Sequence, residues 1–140
     1  MNFTPVQKTL LIVDDDHDDI QLFCEAVTYI NETHHCFSAP NGEAALQLLK
    51  AAIVKPDFVF LDLNMPRMSG KQLLVQLKKD RQYANIPVII YSTSKIKADI
   101  EDSLRLGAVA FITKPNKFEY LVRAISHILA GEWELVKSLS

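Results

Sequence analysis

The sequence predicts an α/β domain whose centre is a five-stranded parallel β-sheet covered by helices on both faces. Three observations carry that prediction. Residues 10–13, 58–61, 88–91 and 109–112 are short apolar runs without polar alternation, which suits strands buried on both faces of a parallel sheet. Helical patterns fall between them, so that strand and helix alternate five times, an order that implies right-handed crossovers. Each run also delivers a polar residue at its carboxyl end: Asp14 and Asp15, Asp62, Ser92 and Thr93, then Lys114. Parallel strands would gather these groups along one edge of the sheet.

The elements follow in order. After the first run, Ile20, Phe23, Val27 and Ile30 mark one helical face, with Asp18 and Asp19 in a first turn where the helix dipole favours acids. Residues 35–39 supply a further strand at an edge of the sheet. Asn41 suits the N-cap of a helix over residues 42–49, and Ser69 that of a helix carrying Leu73, Leu74 and Leu77. Residues 97–106 are mostly charged, with only Ile100 and Leu104 as a thin apolar stripe. From Lys117 onward, Leu121, Val122, Ile125, Ile128 and Leu129 form a broad one. Residues 1–131 are thus expected to make one domain, with residues 132–140 as a short C-terminal tail. No linker, repeat or low-complexity stretch is evident, so no attached output domain is expected.

At 140 residues and a net charge of −2, the chain is long enough to bury a core and shows no bias toward nucleic acid or anionic membranes. No apolar stretch approaches the roughly 18 residues of a membrane span. The first five residues lack the basic and apolar regions of a signal peptide, so a cytoplasmic location is expected. In that reducing compartment Cys24 and Cys36 are expected to stay free thiols. His34, His35 and Cys36 with Cys24 match no usual zinc spacing, and neighbours on a strand point to opposite faces.

The acidic pair Asp14 and Asp15, the stretch Asp62, Leu63, Asn64, Met65, Pro66, Arg67, Met68, Ser69, Gly70, then Ser92 with Thr93, and Lys114 with Pro115 together resemble the response-regulator receiver family. The resemblance runs over about residues 8–131. It implies a doubly wound, flavodoxin-like (βα)5 fold with strand order 2-1-3-4-5. It also implies a phosphorylation-dependent switch of two-component signalling, which catalyses only its own phosphorylation and dephosphorylation. A sensor histidine kinase or phosphotransfer protein would supply the phosphoryl group, and a downstream protein target or a second copy in a homodimer would read it. Direct contact with nucleic acid or membrane is not expected.

The residues suit that chemistry. Asp62 can attack a phosphoryl group and form an aspartyl phosphate. Its approach to a dianion needs neutralising charge, which Mg²⁺ held by one or two carboxylates would supply. Asp15 fits as a direct ligand and Asp14 as a direct or water-mediated one, beside Asp62; the resemblance adds the backbone carbonyl of Asn64. Lys114 offers a fixed positive charge for the equatorial oxygens and could pair with Asp62 before transfer. Ser92 would donate to a phosphoryl oxygen; Thr93, one residue on, would face the other way. The resemblance further implies a cis peptide between Lys114 and Pro115, and an aromatic switch at Phe111 that packs inward when Ser92 is drawn to the phosphate.

Each residue also has a plainer reading. Residues 14–19 could be an acidic loop opening a helix, or imitate a calcium loop, although Asp19 stands where that loop needs glycine. Pro115 could simply begin the last helix, and Phe111 could be an ordinary sheet aromatic. Two other functions share the architecture. A Mg²⁺-dependent phosphatase with an aspartyl nucleophile after the first strand would need a Thr or Val where Asp18 stands. A flavin-binding protein would need a first loop that cradles phosphate, which Asp14, Asp15 and Asp16 would repel. The Trp133 tail bears a similarity to single-domain receivers partnered with bacterial phytochromes.

Overall fold

A computed structural model describes residues 6–51 and 55–136. Strands β1 (Thr9–Val13), β2 (His35–Ala39), β3 (Phe58–Leu61), β4 (Val88–Ser92) and β5 (Ala110–Thr113) alternate with helices α1 (His17–Ile30), α2 (Gly42–Ala51), α3 (Gly70–Lys79), α4 (Lys97–Arg105) and α5 (Phe118–Leu129), and α6 (Trp133–Val136) follows. All strand pairs are parallel, as the sequence predicts, and the order is 2-1-3-4-5, as the family resemblance implies. The chain reverses direction across the sheet between β1 and β3, and ligand crevices in such folds open beyond the carboxyl ends at that point.

Alternation along each strand divides the core into two layers. Leu11, Val13, Leu61, Ile90 and Phe111 face α2, α3 and α4, packing against Ala45, Leu49, Leu73, Leu74 and Leu77. Leu10, Ile12, Phe60 and Ile112 face α1 and α5, packing against Phe23, Val27, Leu121 and Ile125. β1, β3 and β4 lie inside the sheet and are buried almost throughout, whereas edge strand β2 exposes His35 and Phe37.

Local chemistry sets the helix starts. The Asp16 carboxylate accepts the amides of Asp18 and Asp19 at the N-terminus of α1. Asn41 accepts the Ala44 amide before α2. Ser69 and Gln72 form a reciprocal capping box on α3. Proline does not open α5: Lys117 is its N-cap, and Pro115 lies outside the helix.

Two expectations are overturned. Cys24 of α1 and Cys36 of β2 form a disulfide, with Cα atoms 5.7 Å apart. Packing α1 beside the edge strand brings the two sulfurs face to face, an approach that residues twelve apart in sequence do not announce. The bond between Lys114 and Pro115 is trans, like every other described peptide. Trans is the lower-energy form even before proline, and Lys114 is oriented instead by hydrogen bonds and ion pairs. Within the expected tail, α6 turns back, and the Trp133 indole donates to the Ile128 carbonyl at 3.1 Å. No described helix is long and apolar enough to cross a membrane.

Candidate functional site

The site is built by backbone pairing at the strand ends. The Asp14 amide donates to the Ala39 carbonyl and the Asp62 amide to that of Val13, so each acid continues its strand by one residue. The Lys114 amide donates to the Ser92 carbonyl at 2.8 Å and fixes β5 against β4 at the same edge. Gly70 closes tightly behind Asp62. A Cβ there would collide with the Asp62 carbonyl and the Leu61 side chain, so only glycine lets α3 start this close to the acid.

Asp14, Asp15 and Asp62 can bring one carboxylate oxygen each within 4.8 Å of one another. Asp14 and Asp62 are buried and Asp15 is exposed. Lys114, with 9% of its side chain exposed, places Nζ 2.8 Å from Asp14 Oδ2, 2.7 Å from Asp19 Oδ2 and 3.7 Å from Asp62 Oδ2. The ammonium therefore sits nearer Asp14 and Asp19 than Asp62, the partner expected from the sequence.

These contacts shift the ionisation of both members of the buried pair. Burial pushes the Asp14 carboxyl up, against the opposing pull of Lys114 and the Asp16 amide, and the Asp62 charge pushes it further. Burial favours the neutral Lys114 amine, but close contact with Asp14 and Asp19 and the charges of Asp14 and Asp62 outweigh it and hold the ammonium above the ordinary lysine range. The same ammonium lies 5.4 Å from the Tyr91 ring centroid.

The donor set fits a hard divalent cation. Three carboxylates converge, and buried Asp14 Oδ2 has no aligned hydrogen-bond donor despite the nearby ammonium. An all-oxygen set of this kind suits Mg²⁺ or Mn²⁺. Asn64, two residues beyond Asp62, is exposed.

Ser92 is fully buried, and its Oγ accepts the Ser94 amide at 3.3 Å; Thr93 is exposed. Phe111 is buried, with 6% of its surface exposed, on the layer that faces α4. Sequence reasoning missed Asp19 and Ser94. Helical phase held a signal for Asp19, because Phe23 and Ala26 follow it four and seven residues later, placing it on the buried face of α1. Nothing in the sequence marks Ser94, whose hydroxyl donates to Asp99 at 2.7 Å.

The family model for the response regulator receiver domain matches residues 10–126. The chain belongs to the response regulator receiver family. Receivers are signalling switches of two-component systems, and phosphorylation at an aspartate with Mg²⁺ is typical of them. Among similar receivers is PilH of Pseudomonas aeruginosa, 34% identical over 122 residues that cover 87% of this chain and 98% of that one. The phosphorylated cyanobacterial phytochrome response regulator RcpA superposes with a TM-score of 0.80 at 30% identity, covering 91% of this chain and 94% of that one. The Mn²⁺-bound form of response regulator Rcp1 superposes at 0.77 with 26% identity, covering 91% and 95%.

Proposed function

We propose that this receiver accepts a phosphoryl group on Asp62 from the phosphohistidine of a sensor histidine kinase or phosphotransfer protein, and signals through contacts with other proteins. The observation that carries this reading is the convergence of Asp14, Asp15, Asp62 and Lys114 at the carboxyl edge of the sheet. In transfer, an Asp62 carboxylate oxygen forms the new bond to phosphorus while the phosphorus–nitrogen bond of the donor breaks. Asp14, Asp15, Asp62 and the Asn64 carbonyl would hold Mg²⁺, which when bound neutralises the negative charge gathered there. Lys114 compensates charge on the equatorial oxygens, and such preorganised charges supply much of the catalysis in phosphoryl transfer.

Ser92, which ends β4 at the same edge of the sheet, would exchange its hydroxyl's contact with the Ser94 amide for one with a phosphoryl oxygen. That exchange would pull the loop between β4 and α4 inward and favour the packing in which Phe111 is buried. Phosphorylation then acts as a population shift between two arrangements of the α4 side of the molecule.

The test is to incubate the protein with a small phosphodonor and Mg²⁺ and map the mass increment by proteolysis. The increment should fall on Asp62 alone and be absent in Asp62→Asn. An Asp62→Asn protein that gains phosphate at the wild-type yield rejects the assignment.

A further inference from the structure

We infer that Asp19 is a positioning residue of the phosphoryl-transfer site: it holds the Lys114 ammonium away from Asp62 and thereby slows hydrolysis of the phosphorylated state. The inference rests on the reading of Asp62 as phosphoacceptor. Its basis is the division of one buried cation among three acids. Lys114 Nζ is 2.7 Å from Asp19 and 3.7 Å from Asp62, so the acid from the helix holds the ammonium more closely than the acceptor does.

Asp19 is held in place from behind. Asp14 Oδ1 accepts the Asp16 amide at 2.9 Å, and Asp16 Oδ1 in turn accepts the Asp19 amide at 3.2 Å. The strand end, the cap and the first turn of α1 are thus linked by successive hydrogen bonds. Phe23 and Ala26, buried on the same face, anchor the helix below. Asp19 stays partly exposed, with 28% of its side chain in solvent, so its charge is hydrated while it holds Lys114.

The consequence is electrostatic. An aspartyl phosphate adds negative charge beside Asp14, Asp15 and Asp19, and Lys114 must turn to the phosphoryl oxygens. Asp19 competes for that ammonium. In hydrolysis a water oxygen bonds to phosphorus, the bond from phosphorus to Asp62 breaks, and inorganic phosphate leaves with the water's protons shared between product and solvent; the equatorial oxygens carry the charge, as they do in phosphorylation. Neutralising Asp19 leaves the ammonium free to compensate that charge, so hydrolysis quickens.

The test compares wild type with Asp19→Asn and Asp19→Glu. Each is phosphorylated with a small phosphodonor at saturating Mg²⁺ and freed of the donor, and the loss of phosphate is followed by intact mass. Phosphate should be lost about fivefold faster in Asp19→Asn, the scale of one charge acting on another about 4 Å away through water. Asp19→Glu, which keeps the charge, should remain near wild type. Thermal unfolding and Mg²⁺ titration accompany the series; neither should move enough to account for the change. A lifetime in Asp19→Asn that is unchanged or lengthened, with wild type phosphorylated on Asp62, overturns the inference alone. A wild type that takes up no phosphate rejects the phosphoacceptor reading, and the role of Asp19 falls with it.

Discussion

Lys114 is a buried cation among acids. Lys114→Ala should keep the fold, because the sheet and both core layers stand without its side chain. It should lower the rate of phosphorylation by about a hundredfold, the size of effect that removing one charge-stabilising donor has on a reaction of this kind. Stopped-flow phosphorylation of wild type and variant checks this, and a wild-type rate together with the wild-type activated-state spectrum would contradict it. Beneath the lysine, Tyr91 sets a pH dependence. Burial pushes its phenol well above the ordinary tyrosine value of 10.0. Above about pH 10 the unfolded chain releases that proton and the folded protein retains it, so stability should fall as pH rises. Lys114, also raised, adds to the decline: its contribution is intact below 10.5 and lost as pH climbs through its folded value. Tyr91→Phe should make the fall between about pH 9 and about pH 11 shallower in urea unfolding. An unchanged slope would show that the phenol ionises equally well in both states.

Among α1 to α5, helix α4 is held least by the core. Ser103 is its one buried residue, and Ile100 packs only partly against the layer below. Polar contacts do much of the fastening. Lys71 of α3 reaches Asp99 at 3.2 Å and Asp102 at 3.5 Å, and Ser94 binds the second oxygen of Asp99. Hydrogen bonds from Ser94 and Lys71 draw the Asp99 carboxyl below the ordinary carboxylate value. Partly exposed ion pairs contribute little to global stability, yet here they secure the loop whose Ser94 amide contacts Ser92. Lys71→Ala should therefore speed amide hydrogen exchange over residues 95–106 and leave the exchange of β1, β3 and β4 unchanged. Exchange that rises equally across the sheet would place Lys71 in the global fold instead. At the other side of the molecule α1 is tied to β2 by the disulfide between Cys24 and Cys36 and to β5 by the ion pair of Asp19 with Lys114. One helix is therefore anchored covalently at its middle and electrostatically at its start, while α4 is held largely by contacts that water can replace.

At the scale of the whole molecule, the face formed by α4, β5 and α5 is where a partner or a second copy is expected. Ile96 is 63% exposed at the start of α4, and Tyr120 is exposed in the first turn of α5. Phosphorylation should favour a two-fold dimer through this face, since soluble homo-oligomers usually close with that symmetry. Sedimentation velocity with and without phosphodonor, repeated on a chain ending at Gly131, checks it; a monomer in every condition, with partner binding mapped to α1, would show the face to be wrong. The parallel sheet, its two-sided burial and the placing of Asp14, Asp15, Asp62, Ser92 and Lys114 on one edge were legible in the sequence. They follow from local rules: unalternating apolar runs make buried strands, and a residue ending such a strand must emerge at its rim. The disulfide, the trans bond before Pro115, the packing of Trp133 onto α5 and the sharing of Lys114 among Asp14, Asp19 and Asp62 were decided only by tertiary structure. Each depends on how far apart two elements come to rest, and that distance is set by the packing of side chains remote in sequence.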